Sequence, residues 1–540
     1  MKKFFANILG LALLSYGAVS CSDFLDQYSQ DLVVAKSVTD LNELLVGDVY
    51  IRSSSVSYGM GTGILGFVNM LDDDINTTGT SMSGNIGSRA WTASVQPLFG
   101  FFAWQQDVRY NNERTGMADD ASTWNGLYRR INHANNIVDI IDEMPRNTDD
   151  EKALYHRVKG EAHFLRAQFY FALANLYGKP YRPDSATVQL CVPLKLTPHV
   201  EHDKDKATQF TRATVAEVYD QIIKDLTLSV EHLTTSPQLA RFRLHRASAD
   251  AASLLLSRVY LYAQQWEKAE VEAKKVMDSP LTALSAITDL KSDAPFLTRY
   301  NKEVIFSQGA NYVAPKDLST SLSADPADYC VTRDLYNLYE ADDARKSAFF
   351  AVNGLTDSIR LTQKYERGLE LNHISDGFLL RTAEAYLNYA EACAMQGKAT
   401  EANQALHALR KNRIHYYTPT DLTGEALVDA IRNERRRELC FEGHRWFDLR
   451  RYAVNEEYPY KKDIIHAFSV YSNTNAYLGT NYYLLPSGDD AYTFSLPVAI
   501  LEFDKEAMPD NYRPPRKPIA KPIALPSFDD DEETDSIATP

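Results

Sequence analysis

Residues 425–452, EALVDAIRNERRRELCFEGHRWFDLRRY, restrict the fold more than any other stretch of this chain. At 100° per residue, Leu427, Ala430, Ile431 and Phe441 fall on one helical face, and Glu434 and Glu438 fall in the middle of that apolar stripe. A carboxylate buried without its partner costs about 3–5 kcal/mol, so cations must meet these two. Arg435, Arg437, Arg445, Arg450 and Arg451 stand close in sequence. The expected arrangement is an ion-paired clasp of Glu434, Arg435, Glu438, Arg445 and Asp448 inside a helical body.

Two glutamates one helical turn apart also raise the question of a hydrolase. Glycosidase carboxyls flank an open cleft from separate elements, about 5–9.5 Å apart, whereas these lie on a core stripe among arginines, so a structural role is assigned. Other chemistry is equally sparse. Gly61, Gly63 and Gly66 fit G-x-G-x-x-G but follow a serine-rich stretch instead of a buried strand. No H-E-x-x-H or C-x-x-C occurs. Asp72, Asp73 and Asp74 lack the spaced ligands of a calcium loop, and the expectation there is a solvated acidic turn. No catalytic set, metal or cofactor is expected.

Helical periodicity dominates the rest. Patterns run over 38–45, 124–141, 151–177, 214–228, 245–277 and 379–413, with small residues such as Ala383, Ala390 and Ala394 where helices would touch. The predicted class is mainly α, with about four degenerate tetratricopeptide-like hairpins at 124–177, 212–262, 266–277 (partner open) and 379–413. Residues 53–122 read mostly as loop. Short strands are expected at 303–307 and 492–496, and a short helix at 332–338. A disordered tail is expected over 513–540, which ends in an acidic run.

The N-terminus has the layout of a secretory signal. Lys2 and Lys3 precede an apolar run from Phe4 to Leu14, too short to span a bilayer, and small residues lead to Cys21. Cys191, Cys330, Cys393 and Cys440 are expected to be buried free thiols. A net charge of -15 excludes a nucleic-acid partner, which draws on a basic face.

Four features in order carry a family resemblance: Ala18-Val19-Ser20-Cys21, similar to a bacterial lipobox; GEAHFLRA with YGKPY (160–181); LRTAEAYLNYAEA (380–392); and ERRRELCFEGHRWFDL (434–449). Together they resemble the SusD/RagB family of Bacteroidetes outer-membrane nutrient-binding lipoproteins. The resemblance implies a signal peptide (1–20), a tether (21–37) lipidated at Cys21, and one body over 38–512 with parts 38–375 and 376–512. It further implies exposure at the cell surface, capture of an oligosaccharide or polysaccharide without bond chemistry, and delivery to a TonB-dependent, SusC-like transporter. Peptide capture, or a non-binding lid for the transporter, are the alternatives.

Sugars stack their C–H faces on aromatic rings and bond through their hydroxyls. Candidate ligand residues are therefore Arg89, Trp91, Trp104, Asp107 and Tyr110 before the first hairpin, and Tyr300, Tyr312 and Tyr329 in the 290–330 stretch. In the family these regions converge on the ligand side.

Overall fold

The computed structural model describes residues 35–522, apart from 53–62, 78–97, 110–118, 199–209, 237–243, 314–328, 353, 355–357, 367–373, 472–476 and 504–507. Helices dominate it, and several begin where the sequence supplies a cap. In α1 (Val38–Leu44) the Ser37 hydroxyl accepts from the Asp40 amide. After the single turn α2 (Phe99–Phe102) come α3 (Ala121–Ile140) and α4 (Asp149–Tyr177), the latter opened by a Thr148/Glu151 capping box. A Thr214/Glu217 box opens α5 (Val215–Thr235), which runs past the predicted end at residue 228 because Ser229 and Leu233 continue its buried face.

Then follow α6 (Ala249–Tyr262), α7 (Trp266–Asp278), the short α8 (Arg333–Asn337) and α9 (Ala344–Phe349), α10 (Thr382–Met395), α11 (Ala399–Arg410), α12 (Gly424–Leu439), α13 (Arg445–Ala453) and α14 (Val498–Phe503). The long helices stack nearly in chain order: α3 on α4, α4 on α5, α5 on α6, α6 on α7, α7 on α10, and α10 on both α11 and α12. The helix left without a partner in the sequence reading, α7, is thus seated between α6 and α10.

Three small sheets lie beside the stack. One has four strands in the order β1 (Ile75–Thr77), β3 (Tyr329–Val331), β5 (Ile359–Leu361), β4 (Phe350–Val352); β2 (Val304–Ser307) pairs with β6 (Leu379–Arg381), and β7 (Ile464–Tyr471) with β8 (Tyr477–Leu485). All are antiparallel.

Several expectations are corrected. The 425–452 stretch is two helices, broken at Phe441 (φ 57°) and Gly443 (φ 72°), so Phe441 leaves the face it was assigned to. Remote side chains cap that break: Lys364 donates to the Glu438 and Cys440 carbonyls at 3.0 and 2.6 Å, and Tyr365 donates to the Phe441 carbonyl at 2.7 Å. These acceptors are the carbonyls a helix end leaves unmatched. Residues 492–496 form no strand; Asp490–Tyr492 is a 3-10 turn, after which the Phe494 amide donates to the Leu176 carbonyl at the end of α4.

The start of the tail is seated. Arg516 donates to the Leu484 carbonyl (2.9 Å) and pairs with Asp489 (2.6 Å), and Ile519 bridges Tyr482. All four cysteines after Cys21 are buried free thiols.

Candidate functional site

Glu438 on α12 is wholly buried, as is Glu434 one turn before it. The Glu438 carboxylate accepts from Arg345 (2.7 Å), from Arg381 (2.6 Å) and twice from Arg413 (2.9 Å each). Glu434 accepts from Arg345 (2.7 Å) and Arg437 (2.6 Å). Burial pushes both carboxyls up, but the guanidiniums outweigh it, bringing Glu434 down to about 2 and holding Glu438 well below its ordinary value.

The sequence reading placed the cations within the 425–452 stretch, and for these glutamates only Arg437 is there. Arg345 and Arg413 carry no signal in their own neighbourhoods. Arg381 does, as a charge ending the apolar run Phe378-Leu379-Leu380. The neighbouring arginines serve elsewhere. Arg435 meets Asp448 across the helix break (2.9 Å), Arg451 meets Asp448 and Glu391, and Arg445 grips Asp73 with two bonds (2.7 and 2.9 Å). Arg450 donates to the Asn175 and Gly178 carbonyls at the end of α4.

Asp72, Asp73 and Asp74 are buried, which corrects the expected solvated turn. Arg436, Arg445 and Lys462 gather on Asp73 and hold its carboxyl well below the usual range against the opposing effect of burial. The three aspartates have the proximity of a metal cluster, but three cations already occupy Asp73. The charge that a divalent ion would bring is supplied by protein.

The same turn leads into the sheet. Pairing of β1 with β3 sets Thr77 opposite Tyr329. In sequence, segment 78–97 follows Thr77 and segment 314–328 precedes Tyr329. Thr77 and Tyr329 therefore adjoin, although 251 residues of chain lie between them. Below this point lies a packed aromatic floor, with Phe102 5.4 Å from Tyr329 and the His466 ring between Phe102 (4.1 Å) and Trp104 (4.3 Å).

That floor corrects two of the ligand candidates. Trp104 is fully buried and donates from Nε1 to the Leu71 carbonyl at 2.9 Å, and Tyr329 is fully buried in β3. Neither ring has a free face to offer a sugar. Tyr312 is buried too, its ring lying against Gly63 so closely that a Cβ there would strike the hydroxyl. Its amide donates to Asp376, which also accepts from Val313 and Asn69. Burial lifts the Asp376 carboxyl to about 7.

Asp107 is exposed and paired with Arg109 at 2.9 Å. Tyr300 is 73% exposed, with Arg299 over its ring at 5.4 Å. Arg89, Trp91, Tyr110 and Cys21 lie outside the described residues. No helix among the described residues is long and apolar enough to cross a membrane.

Comparison with known proteins places this arrangement. Residues 75–261 match the SusD-like_3 family, described as "Starch-binding associating with outer membrane", and residues 298–493 match the SusD_RagB family, described as "SusD family". The chain is 21% identical over 513 residues to SusD-like protein P25 of Formosa agariphila, covering 83% of this chain and 90% of that protein. A SusD superfamily protein from Bacteroides thetaiotaomicron VPI-5482 superposes with a TM-score of 0.65 at 19% identity, over 88% of this chain and 100% of that one. A SusD-like carbohydrate binding protein from Bacteroides vulgatus ATCC 8482 gives 0.62 at 21% identity, over 88% and 98%. Surface glycan-binding protein A from Bacteroides uniformis gives 0.61 at 17%, over 88% and 99%. At such identities the structural likeness establishes the fold. With two SusD family models together spanning more than half of its length, the chain belongs to the SusD/RagB family.

Proposed function

We propose that this protein is a cell-surface lipoprotein, anchored through Cys21, that captures an oligosaccharide or polysaccharide and delivers it to a partner TonB-dependent outer-membrane transporter. The observation that carries the reading is the Thr77–Tyr329 pairing. It brings the roots of 78–97 and 314–328 together over a rigid aromatic floor, and the first of these segments holds Arg89 and Trp91. Trp91 brings an aromatic ring and Arg89 a guanidinium, the kinds of group that stack on and donate to a pyranose.

The match to a family described as starch-binding and outer-membrane-associated supports the ligand class and the location. So do neighbours named for carbohydrate or glycan binding. Capture of this kind requires no bond to be made or broken.

Titration calorimetry of the mature protein against a polysaccharide panel tests the reading. At least one glycan binds, and Trp91→Ala or Tyr300→Ala weakens it about tenfold; in the exposed Tyr300→Ala the melting temperature holds, since such a substitution moves stability by no more than about 0.5 kcal/mol. Heat from peptides with none from any glycan would sink the saccharide reading. For the anchor, Cys21→Ala releases the protein from the membrane fraction; retention there removes the lipid from the account.

A further inference from the structure

The C-terminal strip does more than decorate the hairpin. Residues 515–518 form one wall of a 420 Å³ groove whose floor is Phe99 and Tyr483 and whose opposite wall is the 105–107 turn. A second depression of 390 Å³ also has Gln106 and Asp107 in its lining. Each chamber falls within the roughly 300–1,000 Å³ of small-ligand sites.

The wall is fixed. Arg516 is tied to Leu484 and Asp489, and Ile519 to Tyr482, so the strip lies along the β8 edge. The first chamber is lined by groups that suit hydroxyls: the amides of Gln106 and Asn481, the carboxylate of Asp107, and the ammonium of Lys517, which forms no ion pair among the described residues. Asp107 is met by Arg109 and Arg516 by Asp489, which leaves Lys517 as the charge of that chamber with no ion pair among the described residues.

We infer that this groove, the channel between residues 515–518 and the 105–107 turn, is a second saccharide subsite, which takes an oligosaccharide and uses residues 515–518 as a specificity wall. The inference rests on the saccharide reading above and adds a place to it, away from the Thr77–Tyr329 roots.

The test uses the mature full chain with maltohexaose, cellohexaose, xylohexaose and laminarihexaose. Lysines are ¹³C-dimethylated, and the Lys517 signal is assigned with Lys517→Arg. Asn481→Trp, a strand-compatible residue, fills the chamber. The expected result is a Lys517 shift with one hexasaccharide, and a tenfold or greater rise in its Kd in Asn481→Trp with unchanged melting. If the sugar binds and Trp91→Ala abolishes binding, while Lys517 stays silent and Asn481→Trp binds normally, the channel is overturned and glycan capture stands. No binding of any saccharide by the unaltered protein overturns both.

Discussion

Glu438→Gln isolates the charge at the centre of the helical body. The amide keeps the side chain's shape, so no cavity opens, but one of the two oxygens that receive four guanidinium bonds becomes a donor facing arginine. None of the three arginines is orphaned. Arg345 keeps Asp343 and Glu434, Arg381 keeps Glu442 and Glu303, and Arg413 keeps Glu303.

What is lost is the match of charge in a fully buried site, where breaking a buried pair costs about 3–5 kcal/mol. The partners that remain place the loss near the lower figure, at about 3 kcal/mol. With an unfolding entropy near 2.1 cal/mol/K per residue, a chain of roughly 500 residues shifts its midpoint by about 1 °C per kcal/mol, so calorimetry at pH 7 shows a fall of about 3 °C.

The pH dependence supplies a second reading of the same term. The Glu438 carboxyl lies well below 4.5 in the fold, so its contribution is complete above the unfolded value and is lost as the pH falls through the folded one. The gap between parent and variant is therefore flat from pH 5 to 8 and closes in acid. A variant melting within 1 °C of the parent at pH 7, or a gap that persists in acid, would refute the argument that Glu438 is held ionised by three buried arginines.

Trp104→Phe leaves the Leu71 carbonyl without its donor and costs about 1–3 kcal/mol by chemical denaturation, while glycan affinity is unchanged; a loss of affinity with normal stability returns Trp104 to the ligand surface. Asp376 has the opposite linkage to Glu438. Its folded pKa of about 7 lies above the ordinary carboxylate value, so its contribution is present in acid and fades as the pH rises through 7. Asp376→Asn keeps the acceptor for Tyr312, Val313 and Asn69 and abolishes that slope, gaining stability over the parent above pH 7 by about 4 kcal/mol at most; parallel pH profiles would exclude the effect. Cys191 and Cys330, whose thiols burial pushes up to about 12 and 11, resist alkylation in the native protein at pH 8 and react on unfolding, as mass spectrometry will show; native labelling at either would place it at the surface.

The helical body was legible because helix formation is written locally. Apolar residues recurring near 3.6 and small contact residues give α3 through α7 and α10 through α12 from windows of about a dozen residues. The strand at 304–307 was read from its apolar run in the same way. The break between α12 and α13 was not legible, because a positive φ at Phe441 has no sequence signal. It is held by Lys364 and Tyr365, which are far from it along the chain.

The ligand side shows the same division. Composition gave Trp104, Tyr312 and Tyr329 the same standing as Tyr300, since an aromatic residue serves a core or a surface equally well, and only tertiary packing buried the first three, Trp104 and Tyr329 around His466 and Phe102 and Tyr312 against Gly63. The sequence by itself determined that two glutamates would face inward and that cations would be needed there. The tertiary structure alone decided that Arg345, Arg381 and Arg413 supply them to Glu438 and that Thr77 meets Tyr329. Helical periodicity is a property of neighbours in the chain, whereas charge pairing and exposure belong to neighbours in space.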